Sequence, residues 1–422
     1  MGLAQTLYYQ LSQYTDTSER RIGLFFKGLS EKKSVMAARA QLLDLMQHDL
    51  AAINLWTEYK YKGYNYLRKS TRKKLYGNLE LIAEDFDAFY RANKMDGNEV
   101  TRHIHMIAPH AHIEPERASL LHALTDYFSL TRGLYEYRAS SSFSRLLQDP
   151  NHEKLVGDCN QIVTLYAHLY TKYFDIRDLK VRLLPGHIAL HYGGVDIEAT
   201  NGTFANYDNS KGAELMPIEE LVTVNLLDTT DTYLDTHEVD PEDFLQSSRL
   251  AYMLSHSREI VSRNLEAAYG TIINGLMSRN NFAQALKFAK QSGNIELLAV
   301  VGNNGALYHM DKHEFAVARR FAEHALRRNE LVKDSYRAEG VYHYNQHHFL
   351  DAIKAFKECG DQDSVKKCYA ALFFDEQSSL PKQLTSDNIK QYSKVVHRMI
   401  GYAKKSENKE LIQHADSLRK YL

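Results

Sequence analysis

The chain has 422 residues, 44% of them hydrophobic and 25% charged, with a formal net charge of −1. Such a composition belongs to a folded globular chain with room for two or three domains; nothing in it suggests disorder, and the charge excludes any overall attraction to nucleic acid or an anionic membrane. Three cysteines, Cys159, Cys359 and Cys368, are too few for a disulfide framework and fit a reducing, cytoplasmic setting.

The N-terminal MGLAQTLYYQLSQYTDTSERR has no basic start followed by an apolar core. No run in the chain approaches the roughly 20 apolar residues of a membrane span, so neither a signal peptide nor an anchor is expected. Residues 1–145 read as helical. Val35 to Tyr61 and Leu79 to Tyr90 carry apolar residues at three-and-four spacing, and Asp96-Gly97 breaks the pattern. Within this region YKYKGYNYLRKSTRKK interleaves Tyr59, Tyr61, Tyr64 and Tyr66 with lysines and arginines, the chemistry of phosphate contact plus base stacking. The same pattern fits a solvated basic helix face whose tyrosines pack inward, and that reading is favoured, so nucleic acid is not an expected partner. RHIHMIAPHAHIEPER, with His103, His105, His110 and His112, lacks paired cysteines or an HExxH arrangement and reads as a polar loop.

Cys159 opens the next helical stretch, GDCNQIVTLYAHLYTKYF. Gly157 gives a flexible approach, Asp158 is a good N-cap, and Ile162, Leu165, Leu169 and Tyr173 recur at helical spacing. A thiol must become a thiolate to attack a carbonyl, and a helix start favours that anion through its unpaired N–H groups and dipole. Asp158 opposes the effect by placing a second negative charge nearby.

In PGHIALHYGGVDIEATNG, Gly193-Gly194 between two alternating runs signals a two-residue hairpin turn. Tyr192 then faces Val195. Counting outward pairs His191 with Asp196, Ala189 with Glu198 and His187 with Thr200 on one face, with Ile188, Leu190, Tyr192, Val195, Ile197 and Ala199 on the apolar face. Glu198 is the diagonal neighbour of His187, roughly 7 Å away between backbones, and is chosen as its orienting carboxylate, with Asp196 paired to His191. A bulge or a three-residue loop would shift the register and return Asp196 to contention. A metal is not expected: His187 and His191 stand about 13 Å apart along an extended strand, whereas metal–ligand bonds are near 2 Å. Thiol helix, histidine strand and acidic strand follow one another in the order of a papain-like or transglutaminase-like triad, so the candidate catalytic residues are Cys159, His187 and Glu198.

Beyond the hairpin, LVTVNLL reads as a further strand, and HEVDPEDF as a linker or capping helix. The C-terminal part repeats. Phe282, Phe315 and Phe349 stand 33 and 34 apart, as do Ala285, Ala318 and Ala352, and Ala289, Ala322 and Phe356; Gly340 follows Ala306 by 34. These are positions at which paired helices of a tetratricopeptide-like repeat interlock. The stack is expected to start near Ser247 and to run through Asp363 to Phe374, with terminal helices from Asn388 to Leu422. Such arrays bind an extended peptide or a partner helix, so a protein or peptide partner is expected, with Cys359 and Cys368 as core residues. His343 and His347 share a helix face, but His347-His348 marks a turn rather than a metal site. No cofactor is expected, since the chain has neither GxxxxGK[ST] nor GxGxxG after a strand.

At GDCNQIVTLY, PGHIALHY and VDIEATNG the chain resembles the transglutaminase-like superfamily, especially a bacterial branch in which such a domain is joined to C-terminal tetratricopeptide-like repeats. Carried over by position, Cys159 resembles the nucleophile, His187 the base and Glu198 the third member, which is aspartate in most relatives. The superfamily includes proteases, amidases, protein cross-linkers and members without activity. The expected architecture is α+β in three parts: a helical N-terminal region (1–145), a transglutaminase-like helix-plus-antiparallel-sheet domain (146–245) and an α-solenoid (246–422). The expected function is thiol-dependent acyl chemistry on a peptide or amide; the competing class is a non-catalytic protein-binding scaffold.

Overall fold

Six helices open the chain: α1 (Leu3–Leu11), α2 (Thr17–Gly28), α3 (Val35–Tyr61), α4 (Lys69–Asn93), α5 (Gly97–Ile107) and α6 (Pro115–Tyr127). The computed structural model describes residues 3–29, 34–139, 142–228, 240–382, 385, 389–420 and 422. Local chemistry sets several of the helix ends. The Asp16 side chain caps α2 by accepting from Glu19 N–H at 3.0 Å, and Asp96, expected to interrupt the helical pattern, caps α5 by accepting from Asn98 N–H at 3.1 Å. His103 and His105 lie on α5 rather than in a loop, and His105 Nε2 is 2.9 Å from the Ala111 carbonyl oxygen.

A mixed segment follows: β1 (Tyr135–Tyr137), α7 (Phe143–Leu146), β2 (Leu155–Gly157), α8 (Cys159–Tyr170), β3 (Lys180–Leu184), β4 (His187–Tyr192), β5 (Val195–Glu198), β6 (Thr203–Ala205), β7 (Glu214–Pro217) and α9 (Glu220–Leu227). Strands β1 and β2 form a parallel pair, so the N-terminal 145 residues are not wholly helical; the others make an antiparallel sheet in the order β6-β5-β4-β3-β7. LVTVNLL, expected as a strand, is helix α9, with Leu221, Val222, Thr223 and Leu226 buried. Its β-branched residues are accommodated because Thr223 Oγ1 donates back to the Glu220 carbonyl at 2.8 Å while apolar neighbours surround the helix.

Helices α10 (Pro241–Leu254) and α11 (Arg258–Ser278) come next, with Asp240 capping α10; residues 229–239, which hold the first three residues of the acidic HEVDPEDF run, lie outside the described residues, and the rest of that run caps and opens α10. The chain divides into two compact units, Met1–Ala268 and Tyr269–Leu422. One apolar core joins Ile22, Trp56, Phe86, Leu124, Ile162 and Leu190 within the first unit, so the expected boundary at 145 is not a division between compact bodies. Helix α10, which carries Ser247, packs on α3 and α9 of that unit, and the division between the two compact units falls at 268/269, within α11.

In the second unit paired helices alternate: α12 (Phe282–Ser292), α13 (Ile295–Asp311), α14 (Phe315–Ala322), α15 (Arg328–Asn345), α16 (Phe349–Cys359), α17 (Gln362–Ser378), α18 (Ser393–Ser406) and α19 (Lys409–Arg419). Phe282, Phe315 and Phe349 each open a helix, and Ala285, Ala318 and Ala352 are fully buried behind them. The turns repeat as well. Asn280, His313 and His347 have φ of 58, 59 and 60°, and the next residue of each donates back to the carbonyl of Leu276, His309 and His343 at 2.8 Å, the bond that closes a helix C-terminus. The fold is therefore mixed α and β with a helical C-terminal region. Among the described residues no helix is long and apolar enough to cross a membrane.

Candidate active site

Strand β2 delivers the chain into α8, whose first residue is Cys159. Asp158 caps this start from an extended conformation, its Oδ1 accepting from Asn160 N–H at 3.0 Å and from Gln161 N–H at 3.4 Å. Ile162, Leu165 and Leu169 are buried where α8 packs on β4, the strand that begins with His187. The thiol is nearly covered, at 9% exposure.

Gly193 and Gly194 have φ of 55 and 96°, as a tight hairpin turn requires, and they set Tyr192 opposite Val195, His191 opposite Asp196 and Leu190 opposite Ile197. The turn is also a contact point: His112 N–H donates to Gly193 O at 2.6 Å, and a Cβ on Gly193 would lie 2.3 Å from the His112 carbonyl oxygen. From this register Glu198 reaches diagonally to His187, with Oε2 2.6 Å from Nε2. Tyr207 O–H donates to the same carboxylate at 2.9 Å, and Thr200 donates to Oε1 through its amide at 3.2 Å and its hydroxyl at 2.5 Å.

Asp196 is engaged elsewhere. Its carboxylate meets His191 Nδ1 at 2.8 Å, Arg182 Nε at 3.1 Å and the Tyr207 amide at 2.7 Å. Ala189, His191 and Asp196 are all buried, so this face of the hairpin, expected to carry chemistry, is packed over most of its length and open only around His187.

The Cys159 S–H reaches Asn160 Oδ1 at 3.9 Å, and its sulfur also interacts with the His187 imidazole. Bonding to that sulfur, first, and to Glu198, second, outweighs burial and pushes His187 up to about 10. Burial alone would raise Glu198, but hydrogen bonds from His187, Thr200 and Tyr207 hold it below the ordinary carboxylate range. Two tyrosines that sequence reasoning missed complete the surroundings. Tyr135 donates to the Gly157 carbonyl at 2.8 Å, just before the cap, while Tyr137 is half exposed and pushed up by its own partial burial and by Cys159, Asp158 and Glu198. Tyr207, also missed, follows β6 with no periodic signal to mark it; Thr200 was visible on the counted hairpin face.

The other two thiols have different settings. Cys359 Sγ donates to the Phe356 carbonyl at 3.3 Å, and burial, with Asp361 secondary, pushes Cys368 up to about 11. Among the described residues no group of three or more His, Cys, Asp or Glu side chains is arranged to hold a metal ion.

In the basic and aromatic segment Tyr61 and Tyr64 are buried, and Tyr66 bonds Ser144 Oγ at 2.7 Å. Arg72 is fully buried against Glu19, with Nε–Oε1 at 2.6 Å, and its guanidinium stacks 3.9 Å over the Tyr59 ring. Lys60, Arg68, Lys73 and Lys74 remain exposed.

No family model and no curated protein matches the chain. Among solved structures, a crystal structure of menin that reveals its binding site for the Mixed Lineage Leukemia protein aligns over 95% of this chain and 98% of that one, at 13% identity and a TM-score of 0.36, a likeness too slight to assign fold or function.

Proposed function

We propose that the protein carries out thiol-dependent acyl chemistry on a peptide or amide, with Cys159 as nucleophile, His187 as proton carrier and Glu198 as the group that orients His187. One observation carries the reading: His187 Nε2 lies 2.6 Å from Glu198 Oε2, on an imidazole that also interacts with the Cys159 sulfur. The attacking species is the thiolate, and an imidazole within reach of the thiol can take up its proton. With Nε2 engaged by Glu198, Nδ1 is the nitrogen left to serve the thiol.

In this mechanism the thiolate adds to the carbonyl carbon, and the oxyanion takes a hydrogen bond from the Cys159 N–H, since the cap already occupies the amides of Asn160 and Gln161. The tetrahedral adduct collapses to a thioester as His187 gives its proton to the departing amine. Water or a second amine then attacks the thioester, losing a proton to His187 and restoring the thiolate. Order along the chain and the quoted motifs support a transglutaminase-like assignment for the α8-plus-sheet region. The recurring helix pairs support a tetratricopeptide-like array that recruits a protein partner in the cytoplasm. Two clefts one repeat apart are lined by equivalent residues, His313, Phe315 and Val341 in one of about 630 Å³ and His347, Phe349 and Phe374 in another of about 680 Å³.

A competing reading, a non-catalytic scaffold, draws on the low exposure of Cys159. Iodoacetamide at pH 6 to 7 separates the two. Catalysis calls for Cys159 to be alkylated much faster than Cys359 and Cys368, with the rate falling in His187→Ala; equal, slow labelling of all three favours the scaffold.

A further inference from the structure

Glutamate brings one more rotatable bond than aspartate to the orienting position, and a carboxylate on a longer arm needs more contacts to keep a single orientation. Glu198 has them on both oxygens. His187 Nε2 at 2.6 Å and the Tyr207 hydroxyl at 2.9 Å meet Oε2, while the amide and hydroxyl of Thr200 meet Oε1 at 3.2 and 2.5 Å. Thr200 is a local partner, two residues away in the chain. Tyr207 comes from the segment after β6 and shares the oxygen that His187 uses, so its hydroxyl limits the directions from which that oxygen can receive the imidazole.

Tyr207 is itself held by groups that take no part in the thiol chemistry. It lies two residues beyond Ala205, the β6 partner of Asp196, and its amide donates to Asp196 Oδ2 at 2.7 Å. The other oxygen of Asp196 meets His191 Nδ1 at 2.8 Å and Arg182 Nε at 3.1 Å, and Arg182 Nη2 donates to Asp208 Oδ1 at 2.5 Å. Two consecutive residues, Tyr207 and Asp208, are thus tied to the sheet. Gly194 N–H donates to His191 Nε2 at 3.3 Å, which leaves the proton of the neutral ring on Nδ1, facing Asp196. Burial would raise Asp196, but hydrogen bonds from His191, the Tyr207 amide and Arg182 hold it below the ordinary carboxylate range, so it stays charged and keeps these partners.

We propose that Tyr207 is a positioning residue for the thiol and imidazole, and that the buried Arg182, Asp196 and His191 act through it. They fix the backbone at Tyr207, the Tyr207 hydroxyl fixes the Glu198 carboxylate, and Glu198 fixes His187. The inference rests on the thiol-dependent reading of Cys159 and His187. It gives Asp196, the carboxylate that does not reach His187, a part in the same chemistry from a distance. Packing alone would be served equally by phenylalanine at position 207, since the ring fills the space and only the hydroxyl reaches Glu198.

The pH profile of Cys159 alkylation by iodoacetamide in the full chain tests this. Its midpoint reports the pH at which the thiol gives up its proton, and fast labelling that slows in His187→Ala supports the underlying reading. In Tyr207→Phe the midpoint is expected to rise by about 0.5 to 1 pH unit, because a loosened Glu198 supports the imidazolium less and the thiolate with it. Asp208→Asn, at an exposed side chain that leaves Asp196 in place, should move the midpoint the same way by less. Adding Tyr207→Phe to Glu198→Gln should shift it no further, as a residue acting through Glu198 requires. An unmoved or lowered midpoint in Tyr207→Phe, or an equal rise when Glu198 is already glutamine, would overturn the proposal while the His187→Ala result still upholds the thiol reading. Slow labelling of Cys159 in the parent would overturn both.

Discussion

The two units bury different things. In the first, charged side chains lie inside: Glu19 with Arg72, Glu58 against backbone amides, Asp196 with Arg182 and His191, and Glu198 with His187. In the second, the buried polar residues among those described are Ser335 and Ser406, and the interior is otherwise alanine, phenylalanine and other apolar groups. A repeated helix pair needs only shape complementarity with its neighbours, so small and aromatic residues at fixed spacing suffice. A reactive pair needs a group held in an unfavourable protonation state, which requires burial and fixed partners. The charge buried in the first unit makes it the more sensitive to single substitutions and to pH.

The largest expected effect is on the buried ion pair. Arg72 meets Glu19 through two nitrogens, at 2.6 and 3.0 Å, and also donates to the carbonyls of Leu67 and Gln13. Arg72→Ala leaves Glu19 as an uncompensated buried charge, so a loss of about 3 to 5 kcal/mol is expected in denaturant unfolding. Replacing both residues with apolar ones of similar volume should recover most of it. A loss below 1 kcal/mol in the single variant would contradict the picture of a first unit dependent on paired charge.

Next in size is a pH effect at Glu58. Burial pushes this carboxyl up to about 7, against the opposing influence of Lys62 and of the amides of Phe143 and Ser144, which it accepts at 2.6 and 3.1 Å. Between the ordinary value of 4.5 and 7 the folded state therefore holds a proton that the unfolded chain has released. Stability falls as pH rises through that window, by about 3 kcal/mol in all, and levels off above it. In Glu58→Gln this dependence disappears, so the variant should gain on the parent by about that amount between pH 4.5 and 7.5. Urea unfolding at both pH values checks it. His187 shifts in the same direction: held up to about 10, its contribution is fully present below the unfolded value near 6.5 and is lost as pH rises through 10.

This contrast also explains what the sequence revealed. Helix α3 was readable from Val35 to Tyr61, the Gly193-Gly194 turn fixed the pairing of β4 with β5, and the phenylalanine and alanine spacing exposed the helix pairs, because each is a local or periodic signal. Glu198 followed from the register by counting. What escaped notice depends on distant parts of the chain. Residues Val222, Thr223 and Val224 look like strand, but Leu254-containing α10 and helices α3 and α8 cover α9 and override that propensity. The basic character of Arg72 suggested a surface, whereas Glu19, 53 positions earlier, makes it core. Tyr207 reaches Glu198 from a loop without periodicity.

The smallest effects should come from the second unit, where shape alone decides the sign. A Cβ on Gly340 of α15 would lie 2.7 Å from the ring of Phe356, itself buried, so Gly340→Ala should cost about 1 to 3 kcal/mol through overpacking. Gly401 of α18 has no atom within 4 Å of the same position, so there the usual preference of helices for alanine applies, and Gly401→Ala should stabilise by about 0.5 to 1 kcal/mol. Both changes add one methyl group to a helix of the same unit, and they differ only in whether a neighbouring repeat helix occupies the space. Chemical denaturation of the two variants side by side should therefore move the midpoint in opposite directions; a shift of the same sign in both would mean that intrinsic helix preference, not packing between helices, governs this unit.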